Sequence, residues 1–139
     1  MSSHVTRIDH VGFAVPDLDE AKAFYAAAFG LEVVHEEVNE EQGVREAMLG
    51  IGGSYIQLLA PLSPESTIAK FLDRSGPGIQ QVAFGVDDVV ATADALRAAG
   101  VRVLYDQPKR GTAGSLVNFA HPKDCGGVLI ELVQSGDSH

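Results

Sequence analysis

Cysteine occurs once in the 139-residue chain, at Cys125, and tryptophan is absent. A single cysteine excludes an intramolecular disulfide framework. Set in Pro122-Lys123-Asp124-Cys125-Gly126-Gly127, it reads as a turn residue rather than a nucleophile. Positive charge is also scarce: ten Lys and Arg face nineteen Asp and Glu, a net charge of -9. That balance argues against nucleic acid or an anionic membrane surface as the main partner. No apolar run is long enough to span a bilayer, and the N-terminus lacks a signal-peptide core. A cytoplasmic protein without a membrane partner is expected. The chain is long enough to bury a core, and with 45% hydrophobic residues it reads as one globular domain over residues 1–139.

What the chain does have is a repeat. Ile8-Asp9-His10-Val11-Gly12-Phe13-Ala14-Val15-Pro16-Asp17 returns, 71 residues on, as Ile79-Gln80-Gln81-Val82-Ala83-Phe84-Gly85-Val86-Asp87-Asp88. Each copy is an alternating strand, an acidic turn and an Ala-rich helix. Gly30 stops the first helix. Extended segments follow at about 31–36, 44–49 and 54–59 in the first copy, and at about 101–105, 115–120 and 127–134 in the second. Both halves therefore read as βαβββ modules, over about 7–60 and 78–134, joined by a linker helix over about 65–74. A lone module is too small to cover both faces of its sheet, so an α+β fold of paired βαβββ modules with a curved mixed β-sheet and a cleft is expected.

Strand alternation sorts the side chains. Val11, Phe13 and Val15 face the helix, leaving His10, Gly12 and Ala14 opposite. In the second copy Val82, Phe84 and Val86 face the helix, and Gln81, Ala83 and Gly85 lie opposite. The last strand of each half repeats the pattern: Gln57 stands against Ile56 and Leu58, and Glu131 against Ile130 and Leu132. His10, Gln57, Gln81 and Glu131 are thus single polar groups in apolar strands at related positions. Any one alone reads more readily as a hydrogen-bonded core group or an exposed edge residue than as a ligand. Together they read as a divalent-metal set, because a buried carboxylate needs a cation or a donor. One imidazole, one carboxylate and two amide oxygens suit Co²⁺ or Mn²⁺, with Mg²⁺, Ni²⁺ or Zn²⁺ also admissible. Among the other histidines, His4 and His139 are terminal, His35 lies at a strand end and His121 precedes Pro122 in a turn.

Longer matches carry a resemblance. Asn39-Glu40-Glu41-Gln42-Gly43-Val44-Arg45-Glu46, Glu65 through Leu72, Val103-Leu104-Tyr105-Asp106-Gln107-Pro108, and Asn118-Phe119-Ala120-His121-Pro122-Lys123 through Gly127-Val128-Leu129-Ile130-Glu131-Leu132 join the repeat. The double βαβββ plan resembles the vicinal oxygen chelate superfamily, which includes glyoxalase I, extradiol dioxygenases and antibiotic-resistance binding proteins. Within it, these stretches resemble the methylmalonyl-CoA epimerase family. The resemblance implies metal ligands at His10, Gln57, Gln81 and Glu131 and a further active-site carboxylate at Glu46. It also implies an acyl-CoA substrate and a homodimer. The chain departs from the family at one place: Gln80-Gln81 stands where a His-His pair is usual. An amide keeps an oxygen donor there but lowers metal affinity.

The implied reaction is inversion at the carbon between a thioester and a carboxylate. A metal stabilises the enolate charge, and Glu46 and Glu131 act as the two acid-base groups. Read without the family, Glu46 is a solvated strand carboxylate beside Arg45. Lys109, Arg110 and Lys123 form a local basic surface for CoA phosphates, and a solvated hairpin loop is the alternative for it. A non-catalytic small-molecule-binding member of the same superfamily is the competing function, with the Gln80-Gln81 pair as its support.

Overall fold

The computed structural model describes residues 5–136, so His4 and His139 lie outside the described residues. The chain divides into two compact units, His10–Gln80 and Gln81–His139, the second also taking the first residues through Asp9. Strand β1 (Val5–Ala14) therefore contributes to both. The fold is α+β with parallel and antiparallel strand pairing, as the repeat predicts.

In the His10–Gln80 unit, β1 is followed by α1 (Leu18–Phe29), β2 (Val33–Asn39), β3 (Val44–Ile51), β4 (Ser54–Pro61) and α2 (Thr67–Ser75). Hydrogen-bonded order is β2-β3-β4-β1, with β4 parallel to β1 and the other pairs antiparallel. Asp17 caps α1 by accepting the Glu20 N–H at 3.0 Å, which places acidic residues in the first turn against the positive helix end. Gly30 ends the helix in the left-handed region and donates to Ala26 O at 3.0 Å. One sheet face packs on α1 through Leu18, Ala47, Leu49, Leu58 and Ala60, with Phe13 and Val15 at the margin. Each fully buried leucine stabilises the unit by about 1.5–3 kcal/mol relative to exposure. The opposite face is covered at one end by α2, where Ile68, Phe71 and Leu72 meet Ala14, Val44 and Leu59.

Gly43 explains why the Gln-Gly-Val stretch has that form. Its φ is +72°, and a Cβ there would come within 2.9 Å of Ser66 Cβ. Ser66 is the α2 cap, accepting from Ala69 N at 3.1 Å. Asn39 closes the same turn by accepting from Gln42 N at 3.0 Å.

The second unit contains β5 (Gly78–Val86, from Gln81 on), α3 (Val89–Ala98), β6 (Lys109–Arg110), β7 (Leu116–Ala120) and β8 (Ile130–Gln134). The order is β1-β5-β8-β7-β6, with β5 and β8 parallel. Asp88 caps α3 as Asp17 caps α1, accepting from Ala91 N at 3.0 Å. Val86, Leu132 and Val89 pack on the α3 side, whereas Ala83, Val117 and Val133 form a cluster on the other face. Thr6 donates from Oγ1 to Gly85 O at 3.2 Å, and the Arg7 guanidinium lies over Gly85, where a Cβ would meet Nη1 at 2.6 Å.

Two expectations fail in this unit. Residues 101–105 make no strand beyond one bridge, Val103 with Ala120. Side chains take the backbone groups instead: Asn118 accepts from Tyr105 N at 3.1 Å and donates to Tyr105 O at 3.0 Å, while Asp124 accepts from Arg102 N at 2.9 Å. The second strand of the module is instead the two-residue β6. The last strand begins at Ile130 rather than near 127, because Gly126 and Gly127 adopt φ of +68° and +93°.

Candidate active site

His10, Glu46, Gln57, Gln81 and Glu131 are all buried, between 3 and 8% exposed. Glu46 is thus not the solvated strand carboxylate that its surroundings in the sequence allow. In the His10–Gln80 unit the register fixes a face. Met48 of β3, Gln57 of β4 and Gly12 of β1 are aligned, and His10 lies two residues from Gly12 on the same side. The next row is Glu37, Glu46, Leu59 and Ala14. This face is opposite the one packed on α1. Gly12 and Ala14 add almost no bulk, so the polar groups are not crowded by their own strand.

The second unit repeats the arrangement. Ala83, Glu131 and Phe119 are aligned, and Gln81 lies two residues before Ala83. Gln81 and Glu131 are in direct contact, the amide Nε2 donating to Glu131 Oε1 at 3.2 Å. The amide oxygen of Gln81 is shut off from solvent. The two units hold equivalent rows: Gln57 aligns with Gly12, and Glu131 with Ala83.

Among the described residues, no group of three or more His, Cys, Asp or Glu side chains is placed to hold a metal ion. The sequence-derived set has one imidazole and one carboxylate, and its other two members are amides. As donor types, one imidazole, one carboxylate and two neutral amide oxygens suit a divalent ion of intermediate hardness.

The basic residues separate. Lys109, Arg110 and Lys123 are exposed. Lys109 stands over the Tyr105 ring with Nζ 4.4 Å from its centroid. Arg102 is instead engaged by Asp124 through contacts of 2.9 and 3.1 Å. These bonds from Arg102 hold the Asp124 carboxyl down at about 2. Cys125 ends the 3-10 turn Pro122–Asp124, and burial pushes its thiol up, away from the thiolate a nucleophile requires. His121 accepts from Lys123 N through Nδ1 at 3.1 Å and caps that turn.

His35 is the site-face residue that sequence reading set aside. It lies inside β2 rather than at a strand end, and its Nε2 is 2.5 Å from Glu37 Oε1. Strand alternation carries the signal, since residues 35 and 37 share a face that Glu37 shares with Glu46 across the register.

The glyoxalase/bleomycin resistance protein/dioxygenase superfamily model matches residues 9–119. An ethylmalonyl-CoA/methylmalonyl-CoA epimerase of Cereibacter sphaeroides is 40% identical over 132 residues, covering 94% of this chain and 98% of the relative. A Streptomyces coelicolor methylmalonyl-CoA epimerase variant in complex with 2-nitronate-propionyl-CoA is 55% identical with a TM-score of 0.95. That match covers 97% of this chain and 98% of the other. A methylmalonyl-CoA epimerase in complex with methylmalonyl-CoA and NH4+ is also 55% identical, with a TM-score of 0.92, and the match covers 94% of this chain and 95% of the other. Within the glyoxalase/bleomycin resistance protein/dioxygenase superfamily, this chain belongs to the methylmalonyl-CoA epimerases, a family of isomerases.

Proposed function

We propose that the chain inverts C2 of methylmalonyl-CoA, or of a close 2-substituted malonyl-CoA, at a site built from His10, Gln57, Gln81 and Glu131 as metal ligands with Glu46 and Glu131 as acid-base groups. One observation carries the reading: five polar side chains, two of them carboxylates, are buried in the strands of a chain in this family. Burying carboxylates is costly, and a reaction that needs them gives that cost a purpose.

A divalent ion held by this set would supply Lewis-acid stabilisation of the negative charge that builds on the thioester oxygen when the C2 proton leaves. The protein does the rest. Inversion needs a proton taken from one face of a planar carbon and one delivered to the other, so two carboxyl groups are the simplest design. Glu46 holds its carboxyl out of bulk water on β3, and Glu131 is steadied by the Gln81 amide. Gly12, Ala14 and Ala83 leave the neighbouring strand faces low. Lys109, Arg110 and Lys123 meet the phosphates of CoA as exposed cations. The family resemblance extends the reading to a cytoplasmic homodimer, which fractionation and sedimentation check.

The Gln81–Glu131 hydrogen bond favours a second reading. It gives the buried carboxylate a donor without a metal, as a non-catalytic binding member of the superfamily would use. Solvent-deuterium exchange at C2 of methylmalonyl-CoA, run with and without Co²⁺ or Mn²⁺, separates the two. Metal-stimulated exchange is expected. Folded protein that exchanges nothing under any metal is a binding module.

A further inference from the structure

We propose that His35 and Glu37 form a proton relay that connects Glu46 with solvent and resets it between turnovers. The inference rests on the reading of Glu46 as an acid-base group. It is carried by a graded row of titratable side chains on one strand face. Glu46 is 3% exposed. Glu37 is its partner across the β2–β3 register, which puts their Cβ atoms about 4.5–5.5 Å apart. The Glu37 side chain is 28% exposed and that of His35 39%, and the two are bonded at 2.5 Å. On its other side Glu46 aligns with Leu59, so of its two register partners only Glu37 can accept a proton.

The chemistry of inversion calls for such a path. If Glu46 takes the C2 proton and another reaches the opposite face, Glu46 ends the turnover protonated. It cannot act on a second substrate of the same hand until that proton has gone. Its burial closes the direct route to bulk water. Along the row, the Glu46 O–H bond breaks as a Glu37 oxygen takes the proton. Glu37 then passes a proton to His35 Nε2, and the imidazolium releases its Nδ1 proton to water. One proton leaves, both carboxylates are restored, and exchange with water at the half-exposed ring returns His35 from the Nε2–H to the Nδ1–H tautomer before the next turnover; no redox partner is involved. Substrate of the opposite hand runs the row in reverse.

A relay between turnovers has a kinetic mark that a structural pair lacks. Reset of the free enzyme enters kcat at saturating substrate but not kcat/KM, which ends at the first irreversible step. In the full-length, metal-loaded protein, Glu37→Gln and His35→Asn are expected to lower kcat roughly tenfold while kcat/KM stays within about twofold. Imidazole added to the buffer is expected to restore kcat for His35→Asn. A parallel fall of kcat and kcat/KM, an unchanged kcat, or a lowered kcat that imidazole leaves low overturns the relay. Glu46→Gln separates the two levels of the argument. Full kcat/KM in that variant removes the acid-base role of Glu46 and the relay with it. Loss of activity in Glu46→Gln, with both relay variants unaffected, removes the relay alone.

Discussion

Set side by side, the two units agree in one row and part in the next. In the shared row, Gln57 aligns with Gly12 and Glu131 with Ala83, each with a polar residue two positions earlier on the neighbouring strand. The adjacent row reads Glu37, Glu46, Leu59, Ala14 in one unit and Lys109, Val117, Val133, Gly85 in the other. Acidic residues on β2 and β3 are thus replaced by a cation and a buried valine. The repeat supplies a common framework of buried polar positions, and its divergence leaves a second acidic row in the first unit and an apolar wall with a basic edge in the second. Duplication fixed the positions, and substitution distributed the chemistry.

The comparison can be broken first at its shared row. His10→Gln makes the first unit match the second and is expected to weaken Co²⁺ binding at least about a hundredfold, near 2.8 kcal/mol. Gln81→His does the reverse and should tighten it about tenfold. Calorimetric titration of the two variants checks both signs, and equal affinities would remove either residue from the ligand set. The turns provide a smaller test. Gly43 and Gly114 both have positive φ, but only Gly43 has a neighbour within reach of an added Cβ. Gly43→Ala is expected to cost about 2 kcal/mol, against about 1 kcal/mol for Gly114→Ala, measured as urea unfolding free energies. The smallest effect belongs to an ion pair confined to the second unit. Arg102 lowers the Asp124 carboxyl from 3.8 to about 2. A depressed carboxylate stabilises above its ordinary value and loses that contribution as pH falls through about 2. The stability difference between the native chain and Asp124→Asn should be small near neutrality, because the pair is exposed, and should shrink through that window.

Much of this was legible in the sequence because strand alternation and helix caps are local. The face assignment of Phe13 and Val15 against His10, and the helix start at Asp17 and stop at Gly30, follow from neighbours in the chain. The segment 101–105 was misread for a non-local reason. Its apolar alternation is real, but Asn118 claims both backbone groups of Tyr105 from 13 residues away. The site divides likewise. Burial of His10, Gln57, Gln81 and Glu131 followed from alternation, whereas burial of Glu46 needed the covering strands and the family resemblance. The His35–Glu37 pair was within reach of alternation, yet the alignment of Glu37 with Glu46 depends on the register of β2 against β3, which no local pattern specifies.

Ser66 serves two structures at once. Its hydroxyl starts α2, and its Cβ is the floor beneath the Gly43 turn that leads into the strand of Glu46. Trimming residue 66 to glycine would relieve the clash of a side chain at position 43 but not the strain of its φ of +72°, and the helix would lose its capping oxygen. Neither position has an independent path of change. Across related chains the two are expected to covary or to stay fixed together, an evolutionary constraint on the entry to β3 set by one hydroxymethyl group.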